Sequence, residues 1–282
     1  MITSPRNPTV AAARRLAGQR ARAQQGRFLL EGAKGIRAAV DAGAPLHLLA
    51  VTPAAAAQHA ELVAAARAAG ARVLEVAEPV LAGLTQTVTP QGLVAVVGSV
   101  TRELGALPPA PRLVCVLAEV RDPGNAGTVL RAADAFGADA LATTAGSVDL
   151  ESPKAVRAAA GSLFHLPVAA GVAWPRLAGA LSGRGLALVG ADPHAADELD
   201  AAPLERPVAL VLGNEARGLP GAVRADLDHL VRLPAWGRAE SLNLAAAAAV
   251  LLYETARRQR AAANPRLARR GGPAGREVAA LG

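Results

Sequence analysis

The sequence predicts an α/β protein of two units, each a layer of strands interleaved with helices. Three observations lead there. The chain has 282 residues, long for one compact domain and sufficient for two. Short runs of Val, Leu and Ala alternate with Ala-rich stretches of helical period, the pattern of parallel or mixed sheets covered by helices. A proline-rich break, P-P-A-P, follows the polar T-R-E-L-G within residues 101–111 and separates two such alternations. The expected boundaries are a unit over 1–105, a linker over 106–111, a second unit over 112–262 and a basic, disordered tail over 263–282.

The first 37 residues read as a helix, an extended stretch at 27–30 and the start of another helix, where Ile36, Ala39 and Val40 share a face. Residues 46–51 read as a strand. Residues 53–69 read as one Ala-rich helix, with Pro53 in its first turn and Gly70 at its end. Strands are expected at 72–76 and 93–100. In the second unit, strands are expected at 113–118, 138–143, 186–190, 208–212 and 229–233, and helices at 125–136 and 154–161. A long helix over 242–260 closes the unit. There is no internal repeat, and the alanine runs are helix formers.

Hydrophobic residues make up 52% of the chain and aromatics 2%, so the core must be packed from Ala, Val and Leu. Lys34 and Lys154 are the only lysines, a bias expected of GC-rich coding, so charge placement is more informative than arginine count. Residues 1–37 carry eight basic side chains against one acid, a net of +7. Residues 257–282 carry seven against one, a net of +6, while 38–256 hold 15 basic and 21 acidic residues. An acidic body with two basic ends suits a polyanionic partner, and equally suits solvated helix faces.

Several classes are excluded at this stage. Cys115 is the single cysteine, so there is no disulfide framework and no cysteine-based metal knuckle; it lies in an apolar run and reads as a small buried hydrophobe. His47, His59, His165, His194 and His229 show no ligand spacing, so neither a metal nor histidine catalysis is expected, and His165 reads as packing. Arg157 reads as a surface residue or an RNA contact. No apolar run reaches 18 residues and residues 1–10 lack an apolar core, so we expect no membrane span, no secretory signal and a cytoplasmic location.

Three segments carry candidate chemistry. Residues 120–137, V-R-D-P-G-N-A-G-T-V-L-R-A-A-D-A-F-G, read as a strand end, a D-P-G turn and a helix opening at Asn125, whose free N–H groups suit an anion. Arg131 follows within the helix, and Asp134 is spaced to orient it. Residues 208–220, V-A-L-V-L-G-N-E-A-R-G-L-P, run a buried strand into Gly213, Asn214 and Glu215, at the end where open α/β sheets gather ligands. Residues 231–244, V-R-L-P-A-W-G-R-A-E-S-L-N-L, offer Leu233 as an apolar wall, with Ser241 and Asn243 before the closing helix. Taken singly, each also fits an ordinary turn or helix cap.

Together they resemble the SpoU (TrmH) family of RNA ribose methyltransferases, whose signatures N-x-G-x-x-x-R-x-x-x-x-F-G, L-G-N-E-x-x-G-L and S-L-N appear in order at 125–137, 212–219 and 241–243. S-P-R-N-P-x-V at 4–10 and G-R-F-L-L-E-G at 26–32 resemble that family's substrate-binding domain, which is similar to small α/β ribosomal proteins. The resemblance covers all but the basic tail. It implies a trefoil-knotted SPOUT methyltransferase domain, S-adenosyl-L-methionine as cofactor, a homodimer through that domain and an RNA acceptor. rRNA is favoured over tRNA because the N-terminal domain is present. The absence of G-x-G-x-x-G after a first strand agrees with a cofactor mode other than the dinucleotide one.

By the same resemblance, Arg131 is the central catalytic residue. A guanidinium keeps its proton, so Arg131 is expected to contact the target phosphate or 2′-oxygen and stabilise negative charge. Asn125 positions the nucleotide or Arg131, and Glu215 holds polar groups of the site, Arg131 or the substrate among them. Ser241 and Asn243 hydrogen-bond near the ribose or shape the cofactor pocket. Leu212, Gly213, Asn214, Leu233 and Leu242 supply backbone contacts and apolar walls to the adenosine. With so few aromatics, recognition by RNA shape plus one positioned nucleotide is expected. The alternatives are a tRNA 2′-O-methyltransferase and a non-catalytic RNA-binding assembly factor. The latter predicts degraded motifs, whereas Asn125, Arg131, Glu215, Ser241 and Asn243 are all present.

Overall fold

Two sheets organise the molecule. In the computed structural model, residues 1–264 are described except Val88 and Glu103. The first part contains α1 (Pro8–Arg15), α2 (Gln19–Gln25), β1 (Arg27–Glu31), α3 (Ala33–Asp41), β2 (Leu46–Val51) and α4 (Pro53–Gln58). It continues with α5 (Ala60–Ala68), β3 (Arg72–Glu75), α6 (Glu78–Ala82) and β4 (Leu93–Gly98). The second part contains β5 (Leu113–Leu117), α7 (Pro123–Phe136), β6 (Ala140–Thr144), α8 (Pro153–Ala159), β7 (Val168–Val172) and α9 (Trp174–Ser182). β8 (Ala187–Ala191), β9 (Asp197–Glu198), β10 (Val208–Leu212), α10 (Gly221–Ala225), β11 (His229–Arg232) and α11 (Leu244–Ala263) complete it.

The first sheet has the order β1-β4-β2-β3 and is mixed: β4 pairs antiparallel with β1 and β2, and β3 pairs parallel with β2. The second has the order β7-β6-β5-β10-β8-β11-β9, and every pairing in it is parallel. Helices cover both of its faces, so β5, β6 and β10 are buried along their whole length and read as continuous apolar runs. The chain runs from β5 outward through β6 to β7, then returns to the other side of β5. The reversal falls between β5 and β10, and the crevice outside their carboxyl ends is where such sheets hold ligands.

The two parts share one apolar cluster that runs from Phe28, Leu30 and Ile36 through Leu163 to β5 and α7. Phe28 and Phe164 stack across the junction with ring centroids 6.3 Å apart. Leu104 and Leu107, just before the proline-rich segment, pack into the cluster on the other face of the parallel sheet.

Some elements depart from the sequence reading. The helix expected at 53–69 is two helices, because His59 leaves helical dihedrals (φ −118°, ψ 37°) and the chain restarts at Ala60. α7 begins at Pro123 rather than Asn125: Asp122 is the cap, its Oδ1 accepting the Asn125 N–H at 2.8 Å, and Pro123 sits at N1 where no donor is needed. The strand expected from 138 starts at Ala140, since the left-handed Gly137 (φ 75°) ends α7 and the Ala138 N–H bonds back to the Ala133 carbonyl. α6, β7, α9, β9 and α10 lie outside the elements the sequence predicts. Of the tail expected over 263–282, Ala263 closes α11, Asn264 follows it, and 265–282 lie outside the described residues. Among the described residues no group of three His, Cys, Asp or Glu is arranged to hold a metal, and no helix is long and apolar enough to cross a membrane.

Candidate functional site

The turn after β5 is built by polar groups. Glu119 adopts a left-handed φ of 55°, unusual for a residue with a Cβ, and donates its N–H to Thr144 Oγ1 at 3.0 Å. Asp122 then uses one carboxylate oxygen to cap α7 and the other to take Lys154 Nζ at 2.8 Å. The hydrogen bond from Lys154, with that from the Asn125 backbone N–H, holds the Asp122 carboxyl below its ordinary range.

The loop after β10 folds on itself. The Asn214 N–H and carbonyl pair with the carbonyl and N–H of Gly218, both at 2.9 Å. The Asn214 side chain caps the turn, Oδ1 accepting from Ala216 and Arg217 N–H, while Nδ2 donates to the Glu119 carbonyl at 2.8 Å. Asn214 thus ties the loop to the β5 turn. Gly213 is required by this packing: a Cβ there would lie 2.4 Å from the Gly218 carbonyl carbon.

The third segment joins them through a chain of amides. Asn243 Oδ1 caps α11, accepting the Ala245 and Ala246 N–H groups at 2.9 and 3.4 Å. Its Nδ2 must then point outward, and it donates to Asn125 Oδ1 at 3.1 Å. That in turn directs Asn125 Nδ2 to Glu215 Oε1, at 3.2 Å. Each amide orientation follows from the one before it. Glu215 also accepts the Asp122 N–H at 3.2 Å and the Arg121 N–H at 3.3 Å. Partial burial pushes the Glu215 carboxyl up, but hydrogen bonds from its own backbone N–H, the Asn125 amide and these two N–H groups outweigh it and leave it below its ordinary range.

Of the residues singled out from sequence, Asn125, Glu215 and Asn243 are therefore in contact, with Leu212, Gly213 and Asn214 leading into the site from β10. Leu233 is half-buried against the core at the end of β11. Ser241 is exposed and makes no hydrogen bond among the described residues, and Leu242 is 52% exposed. The loop over 233–243 leaves β11 and returns beside Asn125. It therefore crosses the carboxyl edges of β8 and β10.

Arg131 is not part of the network. Six residues beyond Asn125, it lies about 240° round the helix, exposed and with no side-chain partner among the described residues. Asp134 does not orient it but lies 2.8 Å from His165 Nδ1, so His165 is a half-exposed hydrogen-bond partner and not core packing. Glu215 likewise reaches Asn125 instead of Arg131. Arg157 faces Glu31 across the junction at 3.4 Å. The sequence reading missed Glu119 and Asp122. The D-P-x-N spacing signals the Asp122 cap, whereas nothing in sequence announces a left-handed glutamate.

A polar amide network at the reversal point of a parallel sheet, bordered by a mixed loop that exposes Trp236 and Leu242 and joined to a small mixed sheet, defines a two-sheet α/β protein with a candidate ligand site at its carboxyl edge. The chain belongs to the SpoU rRNA Methylase family, which matches residues 112–253. An MRM3-like substrate binding domain matches residues 7–95. An uncharacterized tRNA/rRNA methyltransferase of Synechocystis is 36% identical over 264 residues, covering 94% of this chain and 96% of the relative. The 23S rRNA (guanosine(2553)-2′-O)-methyltransferase RlmP of Bacillus subtilis is 34% identical, over 65% of this chain and 72% of its own. The crystal structure of an AdoMet-bound rRNA methyltransferase from Sinorhizobium meliloti superposes with a TM-score of 0.83 at 32% identity, covering 91% of this chain and 97% of that one.

Proposed function

We propose that the chain is an S-adenosylmethionine-dependent RNA 2′-O-ribose methyltransferase acting on rRNA. The observation that carries the reading is the hydrogen-bonded chain Asn243–Asn125–Glu215 at the carboxyl edge of the parallel sheet, built from all three motif segments. The B. subtilis relative, a 23S rRNA 2′-O-methyltransferase, supports the reaction and the acceptor, and the AdoMet-bound S. meliloti enzyme supports the cofactor.

The residues present fit the cofactor. Trp236, 93% exposed, and Leu242 are apolar side chains left uncovered on the loop that crosses the strand ends, as an adenosine-binding wall requires. Leu233 and Leu242 would hold the adenosine, with backbone groups of Leu212, Gly213 and Asn214. S-adenosylmethionine supplies an electrophilic methyl group.

The chain's own task is to present a weak nucleophile in line and to stabilise charge that develops on its oxygen. A carboxylate held below its ordinary range is a weak base, so Glu215 acts by fixing the Asn125 amide. Asn125 and Asn243 each keep one amide N–H beyond the network with which to orient the target nucleotide, and Ser241 adds a hydroxyl beside them. Arg131, unpaired and exposed, takes the target phosphate or 2′-oxygen.

The basic N-terminal unit, 1–105, would grip phosphates and the second unit, 112–262, would carry the transfer. Val250 and Tyr253 of α11, 47% and 54% exposed, form an apolar face suited to a second copy of the chain, so a homodimer is part of the reading, as is a cytoplasmic site of action.

The test mixes protein, methyl-labelled S-adenosylmethionine and deproteinised RNA from cells lacking the gene, then digests size-separated RNA to nucleosides. A labelled 2′-O-methylnucleoside in rRNA is expected. Label confined to tRNA would overturn the acceptor, and no label on RNA or ribosomal particles would overturn the activity.

A further inference from the structure

Residues 145–152 form a strap between the turn after β5 and the N-terminal unit. On one side the strap hangs from the end of β5. Ser147 Oγ donates to the Leu117 carbonyl at 3.0 Å, and the Val148 N–H donates to the Val120 carbonyl at 2.8 Å. These are the residues from which the turn to Asp122 and Asn125 departs.

On the other side two acids grip the N-terminal unit. Asp149 Oδ2 takes Nε and Nη2 of Arg22 at 2.8 and 2.7 Å, and Arg22 is only 5% exposed. Its remaining nitrogen donates to the carbonyls of Leu16 and Ala17, so all three guanidinium nitrogens have partners. Asp149 Oδ1 meanwhile takes the Glu151 N–H at 2.8 Å. Glu151, 7% exposed, accepts three hydrogen bonds on one oxygen: Ser99 Oγ at 2.8 Å, the Val100 N–H at 2.8 Å and the Thr101 N–H at 3.1 Å. Those residues are the ones by which the chain leaves β4.

Apolar packing between the parts is non-directional and tolerates sliding. It is also incomplete, because a cavity of about 290 Å³ opens at the junction between Glu31, Lys34, Gln91 and Arg157. Buried, hydrogen-bonded charge adds little net stability but admits one geometry. The strap supplies two such contacts, and both lead directly to the turn that carries the site.

We propose that Asp149 and Glu151 are positioning residues for methyl transfer. They fix the placement of the N-terminal unit relative to Asn125, and so set which ribose of a bound RNA reaches the site. The inference rests on the reading of the chain as an RNA ribose methyltransferase. A displacement of about 1 Å at a reacting group costs up to about a hundredfold in rate, so loosening a remote anchor registers in turnover and in the choice of nucleotide.

The test has a structural arm and a chemical arm. Spin labels are placed at R67C on α5 and R176C on α9, both exposed positions. The native Cys115 does not compete, since it is fully buried and burial pushes its thiol up to about 12. Distance distributions are measured by pulsed electron resonance for wild type, Asp149→Ala, Glu151→Ala and Glu151→Gln. Unlabelled counterparts are assayed for cofactor affinity, single-turnover rate and the map of methylated nucleotides. Both alanine variants should broaden the distribution, slow transfer about tenfold or more and add label at riboses neighbouring the wild-type target, with cofactor affinity unchanged. Glu151→Gln keeps an acceptor oxygen and should retain the narrow distribution and the single target.

An unchanged distribution overturns the proposal, as does a broadened one with wild-type rate and target. Should Asp149→Ala fail to fold, Glu151→Ala carries the same readouts without leaving a buried cation unpaired. Absence of transfer by the wild-type chain defeats the functional reading; the distances then decide on their own whether the two acids fix the placement.

Discussion

Asn125 and Glu215 stand 90 positions apart in sequence and 3.2 Å apart in the fold, amide to carboxylate. The bond orients Asn125 from one side while Asn243 holds it from the other. Glu215→Ala should lower the single-turnover rate about a hundredfold with cofactor affinity changed less than about threefold, since positioning is lost and the pocket is kept. Glu215→Gln retains an acceptor oxygen and should lose far less. Equal losses for the two variants, measured by methyl transfer and by calorimetry with cofactor alone, would show that the charge matters more than the placement.

Arg131→Lys keeps a positive charge but loses the planar fork. If the side chain grips a phosphate or the reacting oxygen through two nitrogens, transfer should fall about a hundredfold. Since Arg131 has no partner among the described residues, the thermal midpoint should hardly move. A lysine variant with near-normal turnover would remove Arg131 from the chemistry.

Acid stability should report on α11. Glu254 receives hydrogen bonds from Arg257 first and Arg258 second, which hold its carboxyl down at about 2 against an ordinary 4.5. The unfolded chain then binds the proton more readily than the folded one. The stabilisation is complete above about 4.5 and is lost as pH falls towards 2. The difference in melting temperature between wild type and Glu254→Gln should be constant near neutrality and shrink as the pH drops through this window. A difference that grew on acidification would contradict the pairing.

Gly127 is where α7 meets α8. A Cβ there would lie 2.3 Å from the Ala155 carbonyl oxygen and 2.7 Å from the Ala158 Cβ. Backbone cannot retreat as a flexible side chain would, so Gly127→Ala should destabilise by about 1–3 kcal/mol or more, read by denaturant titration. A neutral result would mean that the two helices separate at little cost.

The apolar face of α11 should govern association. Tyr253→Glu, in a ring that packs edge-on against Phe136 at 5.7 Å, should convert a dimer into a monomer in light scattering at micromolar concentration. A wild-type chain already monomeric there would end the dimer reading.

Much of the fold was legible where burial on both faces leaves an unmistakable run: 46–51 and 208–212 were read to the residue. β7, V-A-A-G-V, was not, because a short strand of small residues with a glycine at its fourth position carries no period. The break at His59 was hidden inside an alanine-rich stretch that favours helix on either side. At the candidate site, motif spacing picks out Asn125, Glu215 and Asn243, which the fold brings into contact, but the Asp122 cap and the left-handed Glu119 decide how they meet, and these are braced by Lys154 and Thr144 from elsewhere in the chain. Helical spacing alone pairs Arg131 with Asp134, yet His165 reaches that carboxylate from a different element.

The two borders of the proposed cofactor edge differ in how much order they already possess. Asn214 and Gly218 have closed the loop after β10 with their own hydrogen bonds, whereas no side chain over 234–242 makes a hydrogen bond or ion pair among the described residues. One border therefore surrenders little conformational entropy on binding and the other surrenders most of it. Association should accordingly show a heat-capacity decrease larger than rigid burial of an adenosine predicts, as Trp236 and Leu242 leave water together with the ligand.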